Sequence, residues 1–134
     1  MNAIESGDTC RRPPVPWRLS GALADLERDG ESEFVRDLID AFLRDTAVRL
    51  ESMRQAAASA DLDALAACSH TLKGSTLLVN AFRLAELCCE IQRQAQGKKQ
   101  RDYLAMVDQL ELVLEETREA MIAHSDSLAQ NAVH

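Results

Sequence analysis

The positions of the prolines restrict the fold of this chain more than any other feature of its sequence. All three of them, Pro13, Pro14 and Pro16, lie near the amino terminus, and none follows. A proline inside a helix removes a hydrogen bond and clashes with the preceding turn, so the rest of the chain is free to form long helices. Leucine and alanine supply most of the apolar side chains, and only 4% of the residues are aromatic. This composition favours packed helices over sheet.

Apolar side chains recur at helical spacing throughout the proline-free region. They predict a short helix over residues 19–28 and long helices over 32–59, 62–79, 81–96 and 101–124. Ser32 and Asp61 are the predicted N-caps of the second and third helices. The predicted apolar stripes are Leu19, Leu23 and Leu26; Val35, Leu38, Ile39, Phe42, Leu50 and Met53; Leu84, Leu87, Cys88 and Ile91; and Leu104, Val107, Leu110, Leu114 and Met121.

Four long amphipathic helices with short connections predict an all-α fold, an antiparallel four-helix bundle with a short extra N-terminal helix. A chain of 134 residues suits one domain. We expect a flexible lead-in over residues 1–17, packed through Trp17, then the bundle over 18–124 and a disordered tail over 125–134.

Charge and composition argue against several classes of partner. The net charge is −7 without a dominant cluster of Lys and Arg, which argues against nucleic acid or an anionic membrane as a partner. No apolar run approaches the roughly 18 residues of a transmembrane helix, and the first residues lack a secretory signal. The four cysteines form no CxxC motif and are interpreted as free thiols of a reducing compartment. We therefore expect a cytoplasmic protein.

The segment SHTLKGSTLLVNA, residues 69–81, departs from an ordinary helix. It places a glycine inside a predicted helix, at a cost of about 1 kcal/mol relative to alanine. Helical geometry puts Leu65, Cys68, Leu72, Ser75 and Val79 opposite His70, so His70 is predicted to face solvent. Its own face carries Asp63, Ala66, Ala67, Lys73, Gly74 and Leu77. The small residues among them leave clearance for a large partner.

An exposed imidazole is largely neutral near neutral pH and can act as a nucleophile. Lys73, one turn further on, could stabilise negative charge that arrives at the ring. No phosphate-binding loop for a nucleotide is present, so a phosphoryl group would have to come from another protein. The competing interpretation is an inert surface histidine beside a solvated lysine in an alanine-rich helix.

The segment HTLKGSTLLVNAFRLAELCCEIQ, residues 70–92, resembles the signature of histidine-containing phosphotransfer (HPt) domains of bacterial phosphorelays. That signature is approximately H-x-L-K-G-S-[ST], a break at small residues, and then L-x-x-x-C-x-x-[LI]-[EQ]. The matching residues are His70, Leu72, Lys73, Gly74, Ser75, Thr76, Ala81, Leu84, Cys88, Ile91 and Gln92. The resemblance extends over about residues 20–122.

The resemblance implies that His70 is phosphorylated, with Lys73 assisting electrostatically and Gly74 giving access. Ala66, Ala67 and Leu77 would belong to the surface on which partners dock. The implied partners are response-regulator receiver domains, which supply an aspartyl phosphate and Mg²⁺, and a hybrid sensor histidine kinase. The chain would need no cofactor of its own, would lack ATP-dependent kinase activity and would be a monomer.

Two residues depart from the family pattern. Asn80 stands where glycine is usual, and asparagine is the next residue most willing to adopt a left-handed backbone, so we expect the helix break to persist. Leu77 stands where a small residue is usual, and it would either alter which partners fit or pack beneath the docking surface.

Two alternatives to an independent relay protein stay open at this point. In the first, the bundle is a docking module that binds a kinase, receiver or enzyme, with phosphotransfer secondary or absent. In the second, the chain is the terminal domain of a hybrid kinase. Met1 and the proline-rich lead-in favour an independent protein over the second alternative.

Overall fold

A computed structural model describes residues 17–132 of the chain, and these residues form an all-α structure. The five helices are α1 (Gly21–Arg28), α2 (Ser32–Ala58), α3 (Leu62–Leu78), α4 (Phe82–Gln96) and α5 (Tyr103–Ala132). Each predicted helix is present, and each observed end lies within a few residues of its prediction, except the carboxyl end of α5.

Helices α2 to α5 form the predicted four-helix bundle. Each packs against its neighbours in the order α2, α3, α4, α5, and α5 returns to pack against α2. Short connections make consecutive helices antiparallel. The interior is filled by aliphatic side chains with almost no exposure, among them Val35, Ile39, Met53, Leu65, Leu72, Leu84, Ile91, Val107, Leu110 and Met121.

The helices of the bundle differ greatly in length. α2 has 27 residues and α5 has 30, whereas α3 has 17 and α4 has 15. At 1.5 Å per residue, the longer pair extends about 15 Å beyond the α3–α4 turn. Helix α1 packs against α2 at this end of the bundle, and it occupies the place that a longer α3–α4 hairpin would fill.

Within residues 17–132, polar contacts between three pairs of residues attach α1 and the residues before it to the bundle. The indole N–H of Trp17 donates to the carbonyl oxygen of Val79 at 2.8 Å, and Asn80 Nδ2 donates to the carbonyl oxygen of Ser20 at 2.8 Å. His124 Nε2 of α5 lies 2.7 Å from Glu27 Oε2 of α1. The rings of Trp17 and His124 also meet edge to face, with centroids 6.1 Å apart.

Trp17 is buried, so the expectation that the lead-in packs through this residue is confirmed. The rest of the predicted lead-in, residues 1–16, lies outside the described residues. His124 matches no part of the phosphotransfer signature, and its structural place is this contact between α5 and α1.

One backbone motif ends helices α2, α3 and α4. The residues Ala60, Asn80 and Lys98 have positive φ angles of 59°, 59° and 53°. After each of them, the next backbone N–H bonds to a carbonyl five residues earlier, which is the Schellman arrangement. The predicted helix break at Asn80 is therefore confirmed.

Three details of the sequence interpretation are corrected and one is confirmed. Asp61 does cap α3, because its Oδ1 accepts a hydrogen bond from Ala64 N at 3.1 Å. Ser32, in contrast, is the first residue of α2, and the N-cap Glu31 makes no side-chain cap hydrogen bond. Leu104, predicted to be buried, is exposed.

The third correction concerns the predicted disordered tail. Helix α5 continues to Ala132, and Leu128 lies in the core. The ion pairs from Arg54 of α2 to Asp108 and Glu111 of α5 show the register of these two antiparallel helices, which places residue 128 beside the start of α2. The extended end of α2 thus gives the end of α5 an apolar surface to pack on.

The left-handed residues at two helix ends yield a matched stability test. Ala60→Gly should stabilise the protein by about 1 kcal/mol, because alanine is strained at positive φ and glycine is not. Asn80→Gly relieves less strain, because asparagine tolerates a left-handed backbone better than alanine, and it also removes two hydrogen bonds to Ser20, so we expect no gain or a net loss of stability. Urea denaturation measures both, and equal stabilisation by the two variants would show that the Ser20 contacts contribute nothing.

Candidate functional site

His70 lies in the middle of α3, and its side chain is exposed, as expected. It leans towards α4, where its Nδ1 lies 3.3 Å from Nε2 of Gln92. Because Nδ1 faces Gln92, Nε2 is the nitrogen of the ring that remains open to an approaching molecule. The α3–α4 pairing therefore orients the imidazole from one side.

The Gln92 amide favours one tautomer of His70 or the other, depending on which of its atoms faces the ring. With Nε2 of Gln92 against Nδ1, as in this structure, the amide N–H donates to Nδ1 and the ring proton lies on Nε2. Rotation of the amide by half a turn would bring its oxygen to Nδ1, where it would accept from Nδ1–H and leave a lone pair on Nε2. The sequence analysis included Gln92 in the family signature but assigned it no role. Its position at the end of that signature was the one signal that it contributes to the site.

Lys73 stands one turn after His70, on the same flank of α3, and is half-buried. Its positive charge is close enough to Cys88 of α4 to lower the pKa of that thiol slightly, against the larger effect of burial. Within residues 17–132, Lys73 forms no ion pair. Its charge is thus not neutralised by a carboxylate and can act on an anion at the ring.

The cysteines of the described residues differ in environment. Burial raises the pKa of the Cys88 thiol to about 12, so Cys88 is a neutral core side chain at physiological pH. Cys89 is exposed and Cys68 is half-buried, and all three are free thiols. Cys10 lies outside the described residues. Among the described residues, no group of three or more His, Cys, Asp or Glu side chains could hold a metal ion.

Gly74 lies on the exposed surface of α3, one turn beyond His70. A Cβ atom added there would meet nothing within 4 Å. Close helix packing therefore does not require this glycine. The space that a side chain would occupy beside His70 is open to solvent. Ala67, one turn before His70, is also exposed, and its small side chain leaves that part of the surface unobstructed.

Ala66 corrects the sequence interpretation. It was assigned to the docking face, but only 7% of its surface is exposed and it belongs to the core. The apolar stripe of α3 is rotated relative to the prediction. Ser69 and Thr76 are buried, whereas Cys68 and Ser75, which were predicted to enter the core, are half-buried.

Hydrogen bonding explains why two hydroxyl residues can occupy the core stripe of α3. Ser69 Oγ donates to the carbonyl oxygen of Leu65 at 2.8 Å, and Thr76 Oγ1 donates to that of Lys73 at 2.7 Å. Each hydroxyl is therefore satisfied within its own helix, and its burial costs little. A periodicity analysis that counts only apolar residues misses such positions.

Leu77 lies two turns beyond His70 on the same flank, and 47% of its surface is exposed. Of the two possibilities for this residue, packing beneath the surface is therefore wrong. Asn80 lies at the end of the same helix, where its side chain binds Ser20. His70, Lys73, Gly74, Ala67 and Leu77 thus share one continuous face.

Comparisons with known proteins agree with this geometry. The family model described as the Hpt domain matches residues 37–120. The chain belongs to the Hpt domain family. Hpt domains act in phosphorelays as histidine phosphotransfer intermediates, with receiver domains and kinases as their partners, and this chain has that role.

A solved structure supports the fold assignment. The crystal structure of histidine-containing phosphotransfer protein B (HptB) from Pseudomonas aeruginosa PAO1 superposes with a TM-score of 0.73 at 23% identity, covering 81% of this chain and 95% of that one. At this identity the likeness concerns the fold. No curated protein matches the sequence. Within the described residues, no helix combines the length and the apolar character needed to cross a membrane.

The open surroundings of Gly74 lead to a stability prediction. Gly74→Ala should raise the free energy of unfolding by up to about 1 kcal/mol, because alanine favours helix and meets no neighbour. Gly74→Gln should retain most of that gain. Thermal or urea denaturation of the three proteins measures the effect. Unfolding of either variant would show that the glycine serves packing.

Proposed function

We propose that His70 is the residue of this Hpt domain that accepts the phosphoryl group and then donates it during relay. The observation that carries the proposal is the contact of Nδ1 with Gln92, which leaves Nε2 outward on an exposed face. Lys73 and the low surface at Ala67 and Gly74 complete an arrangement that a folded partner can approach.

The proposed step is transfer from an aspartyl phosphate of a receiver domain. The lone pair of His70 Nε2 attacks phosphorus, and the bond between phosphorus and the aspartyl oxygen breaks. The aspartate leaves as a carboxylate, and an N–P bond joins the phosphoryl group to the ring. The Nδ1 proton stays in place, and the amide oxygen of Gln92 accepts a hydrogen bond from it once the amide has rotated to turn that oxygen towards the ring. Reversal of these events passes the phosphoryl group to a second receiver.

Negative charge is the main electrostatic obstacle to this step, and each partner contributes to overcoming it. The Lys73 ammonium would interact with the phosphoryl oxygens as they reach the ring. Mg²⁺ would be held by the receiver and would neutralise charge on the donor side, so the chain would need no cofactor of its own. We further propose that it acts as a monomer in the cytoplasm, takes its phosphoryl group from a receiver of a hybrid sensor kinase, and does not phosphorylate itself from ATP.

The central test replaces His70. Wild-type protein incubated with a phosphorylated receiver should acquire an acid-labile, base-stable phosphoryl group, and His70→Gln should acquire none. The variant should keep its helicity and melting temperature, since the side chain is exposed. His124→Gln is the matched control and should be labelled normally. Undiminished labelling of His70→Gln would move the site elsewhere, whereas stable receiver binding without transfer by wild type would favour a docking module.

Replacing Lys73 measures the electrostatic contribution. Lys73→Ala should slow transfer about tenfold, which corresponds to about 1.4 kcal/mol of barrier. The effect is modest because water screens a partly exposed charge. Lys73→Arg should retain much of the rate. Rapid-quench measurements of single-turnover transfer compare the three proteins, and equal rates for wild type and Lys73→Ala would make this lysine an ordinary surface charge.

A further inference from the structure

A groove runs between α2 and α5 on the outside of the bundle. Leu43 and Leu50 line it from α2 and Leu114 lines it from α5, and the small side chain of Ala47 leaves it open between them. The groove has a volume of about 330 Å³. Since a cavity of about 150 Å³ accommodates benzene, this groove has room for two large apolar side chains of another molecule.

The groove lies across the bundle from His70. Within residues 17–132, α2 and α4 each pack against α3 and α5, whereas neither α2 and α4 nor α3 and α5 pack against each other. The α2–α5 pair is therefore opposite the α3–α4 pair, which holds His70 and Gln92. Two helix diameters, about 20 Å, separate the two surfaces, so both can be occupied at the same time.

The rim of the groove carries more negative than positive charge. Its charged residues are Glu51, Arg54, Glu111, Glu115 and Arg118. Arg54 is shared between Glu111 and Asp108, and Arg118 is 3.9 Å from Glu115. Glu51 is hydrogen-bonded to the neutral amide of Gln55. With Asp108 included, four carboxylates surround two guanidinium groups.

The charge of α5 determines which kind of partner the groove favours. Six carboxylates stand against the single arginine of this helix: Asp108, Glu111, Glu115, Glu116, Glu119 and Asp126. A second copy of the chain would bring another acidic rim against this one, and such a juxtaposition of like charges is unfavourable. A basic partner would instead be attracted to it.

The shape of the groove favours a helix as its occupant. Two packed helices leave a groove that accepts a row of side chains from a third helix, and an amphipathic helix inserts such a row at positions i, i+3 or i+4, and i+7. Val48 and Leu112, each 68% exposed, follow the lining residues Ala47 and Glu111 in the chain. They would contact the flanks of the bound helix, while its long basic side chains extend to the carboxylates of the rim.

We propose that the α2–α5 groove is a second docking site, separate from the face of His70, and that it binds a basic amphipathic helix of a partner protein. The apolar lining supplies affinity, and the acidic rim selects a basic helix over an acidic one. A protein held in this groove leaves His70 accessible. The site therefore allows this protein to stay bound to one partner while it exchanges a phosphoryl group with another.

The test measures binding of a synthetic peptide, and it compares three variants with the same substitution. The probe is an amidated helix of leucine and lysine, roughly 18 residues or five turns long, with its leucines on one face. Ala47→Phe fills the groove, Ala67→Phe places the same side chain beside His70, and Ala105→Phe places it elsewhere on α5. All three alanines are exposed, and circular dichroism and melting check that the variants fold.

Fluorescence anisotropy of the labelled peptide gives Kd at physiological ionic strength. Ala47→Phe should raise Kd about tenfold or more, as loss of a central apolar contact does, and the other two variants should match wild type. The absence of saturable binding to wild type, or an unchanged Kd for Ala47→Phe, would overturn the inference. Weaker binding by Ala67→Phe alone would place the peptide on the face of His70 and would overturn it as well.

A second pair of variants tests the rim without changing the shape of the groove. Glu51→Gln/Glu115→Gln should raise Kd about tenfold and reduce its dependence on salt. Asp37→Asn/Glu116→Gln removes the same charge from exposed positions outside the groove and should have little effect. Equal weakening by the two pairs would show that the peptide responds to net charge alone. Equal affinity for a peptide of the same composition without an apolar face would contradict the inference in the same way.

A second copy of the chain is the competing occupant of the groove. Sedimentation should show wild type and Ala47→Phe to be monomers. A wild-type dimer that becomes monomeric in Ala47→Phe would overturn the assignment to a basic helix. None of these measurements uses phosphotransfer, so a failure to label His70 would contradict the proposed function and leave this inference intact.

Discussion

The backbone conformation of Asn80 is the constraint on which the rest of this structure depends. Its left-handed φ ends α3 and turns the chain back into α4. If the helix continued instead, Gln92 would not come within reach of His70 and the bundle would lack one of its sides. The same residue also binds Ser20, and Trp17 binds the adjacent carbonyl. One tight turn thus sets the orientation of the histidine and the attachment of the N-terminal helix.

The site contains few reactive side chains. Its main features are the orientation of one imidazole, one nearby positive charge and open space. A phosphotransfer partner that brings its own reactive aspartate needs an oriented imidazole, a nearby positive charge and room to approach. In this structure Gln92 contacts Nδ1 of His70, Lys73 lies on the next turn, and the space over Gly74 is open. At Gly74 the requirements of stability and access oppose each other, since a side chain would favour the helix and crowd the surface.

Unequal helix lengths determine what surrounds the α3–α4 turn. Because α2 and α5 extend past the α3–α4 turn, α1 is needed to cover their exposed ends, and it packs beside that turn. The turn is therefore held firmly while its outer side chains, Leu77, Leu78 and Phe82, remain in solvent.

The sequence by itself determined the all-α fold, the helix positions, the break at Asn80 and the exposure of His70, because these follow from local rules of proline placement, apolar periodicity and turn chemistry. Tertiary structure decided the features that depend on neighbours. Ala66 is buried although helical geometry put it beside His70, and residues 125–132 are helical because α2 extends far enough to pack against them. The pairing of Gln92 with His70 likewise depends on how α3 meets α4. Periodicity places a side chain on its own helix, but only the packed bundle determines what that side chain faces.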